Sequence, residues 1–393
     1  VKPHRRGMYN LHFLSVLVCG LLLALLGGLL LGSDQTPRPA VTDQPPATSL
    51  ERQIGQLIMV GFAGSATTDT GVQAVAAQLA SGRIGGVMLL GRNIRTQGQL
   101  ARLTRHLAAQ TPEVPALVAV DQEGGQVQRL VPLGSAFAWM AAQDLPSATG
   151  NCAPEAVQAY YGSRAAQLAA LGINLNFGPV VDLNLRPQNP AIGRLKRSFS
   201  ADPRLVTACA DGFLAAHTAA GIATALKHFP GHGSADADSH HRLPVIDARW
   251  QDSELQPYLA LAKLDRVDMV MMGHLVHRRF SDRPDLPASL SRKGVLEARA
   301  LVGPRTVLIT DDLEMDAVAD RFAVEEAAVL AIAAGNDMVL VSSYSRTDPE
   351  LGDRLNAAIA KAVAEGRITL QQIESAAARI SELKRRLKSH LPS

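Results

Sequence analysis

Cysteine, aromatic residues and surplus charge are all scarce in this chain. Three cysteines occur in 393 residues. Cys19 lies in an apolar run, and nothing in the spacing of Cys152 and Cys209 demands a bridge between them. Export would permit one, but two buried thiols are the expectation. Aromatic residues make up 4% of the chain and charged residues 19%. The formal net charge is only +3, and much of it gathers at the two ends (Lys2, Arg5, Arg6; Lys384, Arg385, Arg386, Lys388). No basic stripe with interleaved aromatics is present, which argues against nucleic acid as a partner. The 47% hydrophobic content excludes a disordered chain. The length suits one large α/β domain or two small ones.

One long apolar run is present. "FLSVLVCGLLLALLGGLLLG" extends from Phe13 to Gly32, behind Lys2, Arg5 and Arg6. About 20 apolar residues can span a bilayer, and the basic flank favours a cytoplasmic N-terminus. Residues 1–33 therefore read as a signal peptide or a membrane anchor. The remainder is expected to be extracytoplasmic, in the periplasm or cell envelope, touching membrane only through this segment. Residues 34–49 carry four prolines among small polar residues and read as a semi-extended linker. Folded structure is expected over 50–393.

The body alternates short apolar runs, polar turns and helical stretches. The runs are 57–62, 84–90, 115–120, 173–183, 222–229, 268–275, 305–310 and 337–342. They are brief, rich in Val, Ile and Leu, and mostly non-alternating, as strands buried on both faces should be. Helical segments such as 201–221 and 323–335 lie between them. Eight βα units imply a single (β/α)8 barrel, with a doubly wound open sheet as the alternative. A last helix should start at Thr369, an N-cap, with Ile373, Ala377, Ile380 and Leu387 on one face.

A barrel puts its chemistry just beyond the C-terminal ends of its strands. Polar residues collect there: Asp121 and Glu123, Asp182, Lys227 and His228, His274, and Asp311 and Asp312. For any one of these a turn-capping role is the plainer account. Recurrence after five successive runs is hard to explain that way.

The stretch "KHFPGHGSADADSHHRLP", Lys227–Pro244, holds four of the chain's 11 histidines. His228 and His232 have helical zinc-ligand spacing, but Pro230, Gly231 and Gly233 forbid the helix. A phosphate cradle would need a glycine pattern that is absent. The remaining chemical reading is a mobile loop, freed by Gly231, Gly233 and small neighbours, that delivers an acid/base pair. Asp238 would orient the imidazole of His240 and favour its protonated form. On spacing alone this only edges ahead of an ordinary polar surface loop.

The same stretch resembles the signature loop of family 3 glycoside hydrolases, in the β-N-acetylhexosaminidase subgroup, whose pattern K-H-[FI]-P-G-x-G-x4-D-S-H-x3-P it matches at every fixed position. "VDQEGGQVQRL" (120–130) resembles that subgroup's sugar-binding strand end, and "LITDDLEMDAV" (308–318) its nucleophile motif. The resemblance covers the chain from about Leu50 onward. It implies Asp311 as nucleophile and Asp238 with His240 as the acid/base dyad. It implies Asp121, Lys227, His228 and Arg197 as residues that hold sugar hydroxyls, Arg197 being chosen over nearby Arg194. Asp312 is given no such role.

The activity so implied is that of a retaining exo-β-N-acetylglucosaminidase acting on peptidoglycan fragments or related glycosides, with carbohydrate as partner, no cofactor or metal, and a monomeric enzyme. A β-glucosidase or β-xylosidase, a phosphorylase of the same family, and a non-catalytic sugar-binding protein are the alternatives.

Overall fold

The structure is a computed structural model that describes residues 49–111, 113–344 and 347–388. The apolar run at 13–32 and nearly all of the proline-rich linker lie outside the described residues. Among the described residues no helix is long and apolar enough to cross a membrane.

Each of the eight apolar runs contains one strand: β1 Ile58–Gly61, β2 Gly86–Leu89, β3 Leu117–Val120, β4 Leu175–Asn176, β5 Ala223–Phe229, β6 Met269–Met272, β7 Val307–Asp312 and β8 Met338–Val341. Every neighbouring pair is parallel, and β8 returns to β1, so the sheet closes into a barrel. Closure excludes the doubly wound alternative. It also explains the missing alternation. One face of each strand fills the barrel and the other meets a helix, and Leu117, Val118, Ala119 and Val120 are all buried.

The outer layer includes α1 Ser49–Gln56, α2 Thr70–Ser81, α3 Gln97–Ala108, α4 Pro154–Ala170, α5 Pro203–Ala219, α6 Gln256–Ala262, α7 Arg292–Val302, α8 Val324–Ala334, α9 Leu351–Ala364 and α10 Leu370–Lys388. α10 starts as its sequence signals. The Gln372 amide donates to Thr369 Oγ1, and the Thr369 amide donates to Gln372 Oε1, a reciprocal cap. Its Ile373, Ala377, Ile380 and Leu387 are buried. Lys384 on the same helix is 1% exposed, and its ammonium donates to Gln56 Oε1 at 2.7 Å and Gly85 O at 2.6 Å. Both acceptors precede strands, so α10 closes the barrel's floor. Burial lowers this amine to about 7.

One expectation is corrected here. Cys152 and Cys209 are not separate thiols: they form a disulfide, with Cα atoms 5.0 Å apart. Cys152 precedes α4 and Cys209 lies inside α5. The bond therefore ties two helices that also meet through Tyr161 and Phe213, whose rings are 4.7 Å apart. Fifty-seven positions separate the two cysteines along the chain, a spacing that carries no signal of contact.

Candidate active site

Two strands that carry functional candidates are irregular where they reach the mouth. Leu226 pairs with Val270 and Phe229 with Met272, so Lys227 and His228 of β5 stand against the single Met271 of β6. Ile309 pairs with Met338 and Asp312 with Leu340, so Thr310 and Asp311 of β7 stand against Val339 of β8. Each is an extra residue of the kind that bends a strand and re-aims a side chain.

Four of the sequence-predicted residues meet in one buried network. The Lys227 ammonium donates to Asp121 Oδ1 at 2.8 Å and contacts Glu123 Oε1 at 2.7 Å. The Arg197 guanidinium grips Glu123 through two bonds of 2.8 Å, gives a third to Ala191 O at 2.9 Å, and faces His228 Nε2 at 3.3 Å. Two carboxylates thus face two buried cations, and Arg129 reaches Asp121 Oδ2 at 3.4 Å from the more exposed side. Burial alone would push Glu123 up; Arg197 and Lys227 outweigh it and hold the carboxyl far below its usual range. Burial would likewise lower Lys227, but Asp121 and Glu123 raise it and keep it charged. Arg197 is buried and Arg194 exposed, so the network takes in Arg197 alone of the two.

Asp182, beyond β4, braces the histidine side. Its Oδ2 meets His228 Nδ1 at 2.7 Å, and its Oδ1 accepts the amides of His228 at 3.1 Å and His232 at 2.7 Å. The ring of His228 is thereby fixed with its Nε2 edge toward Arg197.

Asp311 and Asp312 are adjacent yet differ in every partner. Asp312 is spent on structure. Its Oδ1 accepts the amides of Ser342 and Glu314, and its Oδ2 bonds the Ser342 hydroxyl. Among the described residues Asp311 accepts one hydrogen bond, from the Asp312 amide at 2.9 Å, which leaves its other oxygen for chemistry. Burial would raise its pKa, but His228, His274 and His240 around it hold it below the usual carboxylate value. His274, wholly buried, contacts Asp312 O at 2.9 Å and Ser289 Oγ at 2.7 Å. It anchors the Asp312–Leu313 peptide, one peptide beyond Asp311.

The dyad is formed. His240 Nδ1 lies 2.7 Å from Asp238 Oδ1, which also accepts the His240 amide at 3.0 Å. The bond to Asp238 raises the His240 pKa, and the charge of Asp311 adds to it. His240 is 60% exposed at its side chain, whereas Asp238 is 17%.

The root of the loop is packed against its neighbours, unlike its exposed outer part at 240–242. Residues 231–235 are all buried. A Cβ on Gly233 would stand 1.7 Å from Leu183 O, so the glycine permits close approach rather than motion. The Asn189 side-chain Nδ2 donates to His232 O and Gly233 O, and the Trp250 indole N–H donates to Pro230 O at 3.0 Å. Further out, His232 Nε2 meets Ser239 Oγ at 3.3 Å, and the Ala317 amide donates to Ser239 O at 3.2 Å.

Sequence reading placed Glu123, Asp182 and His274 on strand ends without assigning them work. Their signal was position; their partners are visible only in space. Glu254 gave no signal. It sits in the turn Asp252–Leu255 before α6, and its Oε2 accepts the Gly233 amide at 3.1 Å. Burial, with Asp182 adding to it, pushes this carboxyl up to about 7.

Known proteins place this geometry in a family. Residues 49–383 match the glycosyl hydrolase family 3 N terminal domain. The chain is 32% identical over 332 residues to beta-hexosaminidase A of Pseudoalteromonas piscicida, a match covering 77% of this chain and 54% of the relative. It superimposes with a TM-score of 0.77 and 33% identity on a glycoside hydrolase family 3 beta-N-acetylglucosaminidase from Paenibacillus sp. str. FPU-7, covering 88% of this chain and 64% of that one. For beta-N-acetylhexosaminidase from Beutenbergia cavernae DSM 12333 the TM-score is 0.75 at 33% identity, covering 86% and 99%. The chain thus spans about half the length of the Pseudoalteromonas relative and nearly all of the Beutenbergia structure. Its matched span, its barrel and its three motifs agree: the chain belongs to glycosyl hydrolase family 3.

Proposed function

We propose that the protein is a retaining exo-β-N-acetylglucosaminidase that releases terminal β-linked N-acetylglucosamine from peptidoglycan fragments or related glycosides. The observation that carries the reading is the division of roles at the mouth. An ionised carboxylate with one uncommitted oxygen, Asp311, coexists with an imidazole that Asp238 keeps basic. In this reading Asp311 attacks the anomeric carbon while His240 gives its proton to the departing glycosidic oxygen. A glycosyl-aspartate forms and the aglycone leaves as an alcohol. His240, now neutral, takes a proton from water, the water oxygen attacks the anomeric carbon, and the Asp311 carboxylate is released. Two inversions retain the configuration.

Asp121, Arg197, Lys227 and His228 are proposed to hold the sugar's hydroxyls. Their mutual bonds fix them before substrate arrives, so little ordering is required on binding. The disulfide supports an extracytoplasmic location, since such bonds persist in oxidising compartments.

The test is a panel of p-nitrophenyl β-glycosides, with free-sugar analysis in the presence and absence of phosphate. The N-acetylglucosaminide should be preferred over the glucoside and xyloside, and the product should be the free sugar rather than its phosphate. Asp311→Ala should fold and lose about 10⁴-fold or more in turnover, as removed nucleophiles do. Retention of more than a few per cent of activity would exclude Asp311 as nucleophile.

A further inference from the structure

The loop that carries Asp238 and His240 leaves β5 through Pro230, Gly231, His232 and Gly233. Two of these four residues have no side chain, and Gly231 adopts a φ of 120°. A backbone so bare is held only by what packs against it. Asp182 and Asn189 reach it from the β4 side. From the side of the turn before α6 comes Glu254, 1% exposed.

Glu254 touches this root twice. Its Oε2 accepts the Gly233 amide at 3.1 Å. Its Oε2 and Cβ lie 2.6 and 2.7 Å from where a Cβ on Gly231 would stand, so they fill the space that Gly231 leaves open. Its Oε1 is buried and makes no hydrogen bond of its own. A carboxyl buried against so few donors, the Gly233 amide and the neighbouring Ser234, is costly for the fold, and the mechanism proposed for the site makes no use of it.

We propose that Glu254 is a positioning residue for the acid/base loop. By clamping the Gly233 amide and filling the space beside Gly231, it sets where Asp238 and His240 stand over the leaving group. The inference rests on the role proposed for that dyad. Removing the clamp frees one side of two glycine pivots that flank His232, and the His240 ring lies seven residues beyond the nearer one. A displacement of about 1 Å at a reacting group can cost about 10²-fold. The loss should fall on the proton transfer alone, because Asp311 is held by β7 and not by this loop.

The experiment is kcat/KM for aryl N-acetylglucosaminides of graded leaving-group pKa, with wild type, His240→Ala, Glu254→Ala, Glu254→Gln and Glu254→Asp. Glu254→Ala should lose roughly 10- to 100-fold on the poorest leaving group and less than about threefold on the best, since a good leaving group needs little protonation. Glu254→Gln keeps an oxygen acceptor at the same reach and should stay within about threefold of wild type throughout. Glu254→Asp keeps the charge but is one methylene short, so it should resemble Glu254→Ala, and it carries the comparison if the alanine variant does not fold. A clamp is refuted if Glu254→Ala, or Glu254→Asp in its place, slows all substrates equally, or if Glu254→Gln fails in the same graded way. A plot for His240→Ala that runs parallel to wild type overturns the dyad itself, and the clamp with it. A steep plot for His240→Ala beside a parallel one for Glu254→Ala overturns the clamp alone.

Discussion

Replacing Glu123 by glutamine removes one charge from the sugar-side network and almost nothing from its shape. Lys227 would keep Asp121, which Arg129 also contacts at 3.4 Å, while the buried Arg197 guanidinium would lose its carboxylate partner. Asp121 meets Lys227 at 2.8 Å but is not hydrogen-bonded to Arg197, so it cannot take over the bidentate grip. Breaking a buried pair by removing one partner costs about 3–5 kcal/mol, because the other charge stays buried without compensation. Unfolding a body of roughly 340 residues has an entropy near 0.7 kcal/mol/K at about 60 °C, at roughly 2.1 cal/mol/K per residue. The same loss should therefore appear as a fall in Tm of about 4–7 °C at pH 7. The pH dependence gives a second reading. Glu123 is depressed in the folded state, so its contribution is full above the ordinary glutamate value and declines progressively as pH falls below about 4 toward the folded-state value. Wild type and Glu123→Gln should accordingly converge in Tm toward acid. Differential scanning calorimetry in about five steps from roughly pH 3 to pH 8 measures both. A fall of less than about 1 °C at pH 7, or a gap that stays constant into acid, would show that the network does not brace the fold.

Two further outcomes follow from groups outside the mouth. Both members of the Cys152–Cys209 bridge are buried, so the double alanine variant is a cleaner probe than added reductant. For a separation of 57 residues the loop-entropy account gives about 4 kcal/mol, and denaturant unfolding should show a loss of about 2–4 kcal/mol; an unchanged midpoint would refute it. Lys384 is lowered to about 7 in the folded protein. The unfolded chain therefore binds more protons between about pH 7 and 10, and wild-type stability should rise with pH across that window. Lys384→Met should flatten this rise, and an unaltered slope in urea unfolding would assign it to another group.

The barrel was legible because its strands are short, apolar on both faces and separated by helices, and that pattern survives in one dimension. Ile373, Ala377, Ile380 and Leu387 were legible for the same reason, through helical spacing. Asp121 and Asp311 were legible as candidates because a parallel barrel puts strand ends at one mouth. Partnership was not legible. Glu123 and Arg197 are 74 positions apart, and no local rule links them. The glycines after β5 are ambiguous in one dimension: φ freedom and close backbone approach both select glycine, and only the neighbours, Leu183 O and Glu254, show where close approach applies. Cys152 and Cys209 were read as thiols because a disulfide is a matter of Cα separation and not of spacing.

The two irregular pairings at the mouth have a consequence for how this site can change. Along a regular strand, neighbouring side chains face opposite ways, so a shift by one position exchanges what points in for what points out. In β7 that exchange would put Asp312 where Asp311 stands and hand the role proposed for Asp311 to a residue built as a brace. The chemistry is thus written in phase as much as in residue type. The phase of β7 is set at the far end of the barrel, where Asp337 accepts the Leu308 amide at 2.8 Å and is itself gripped by Arg299 and Arg379. A single-residue deletion between Leu308 and Asp311 would keep both aspartates in the chain and still silence the site, while many substitutions on the surrounding helices would leave it untouched.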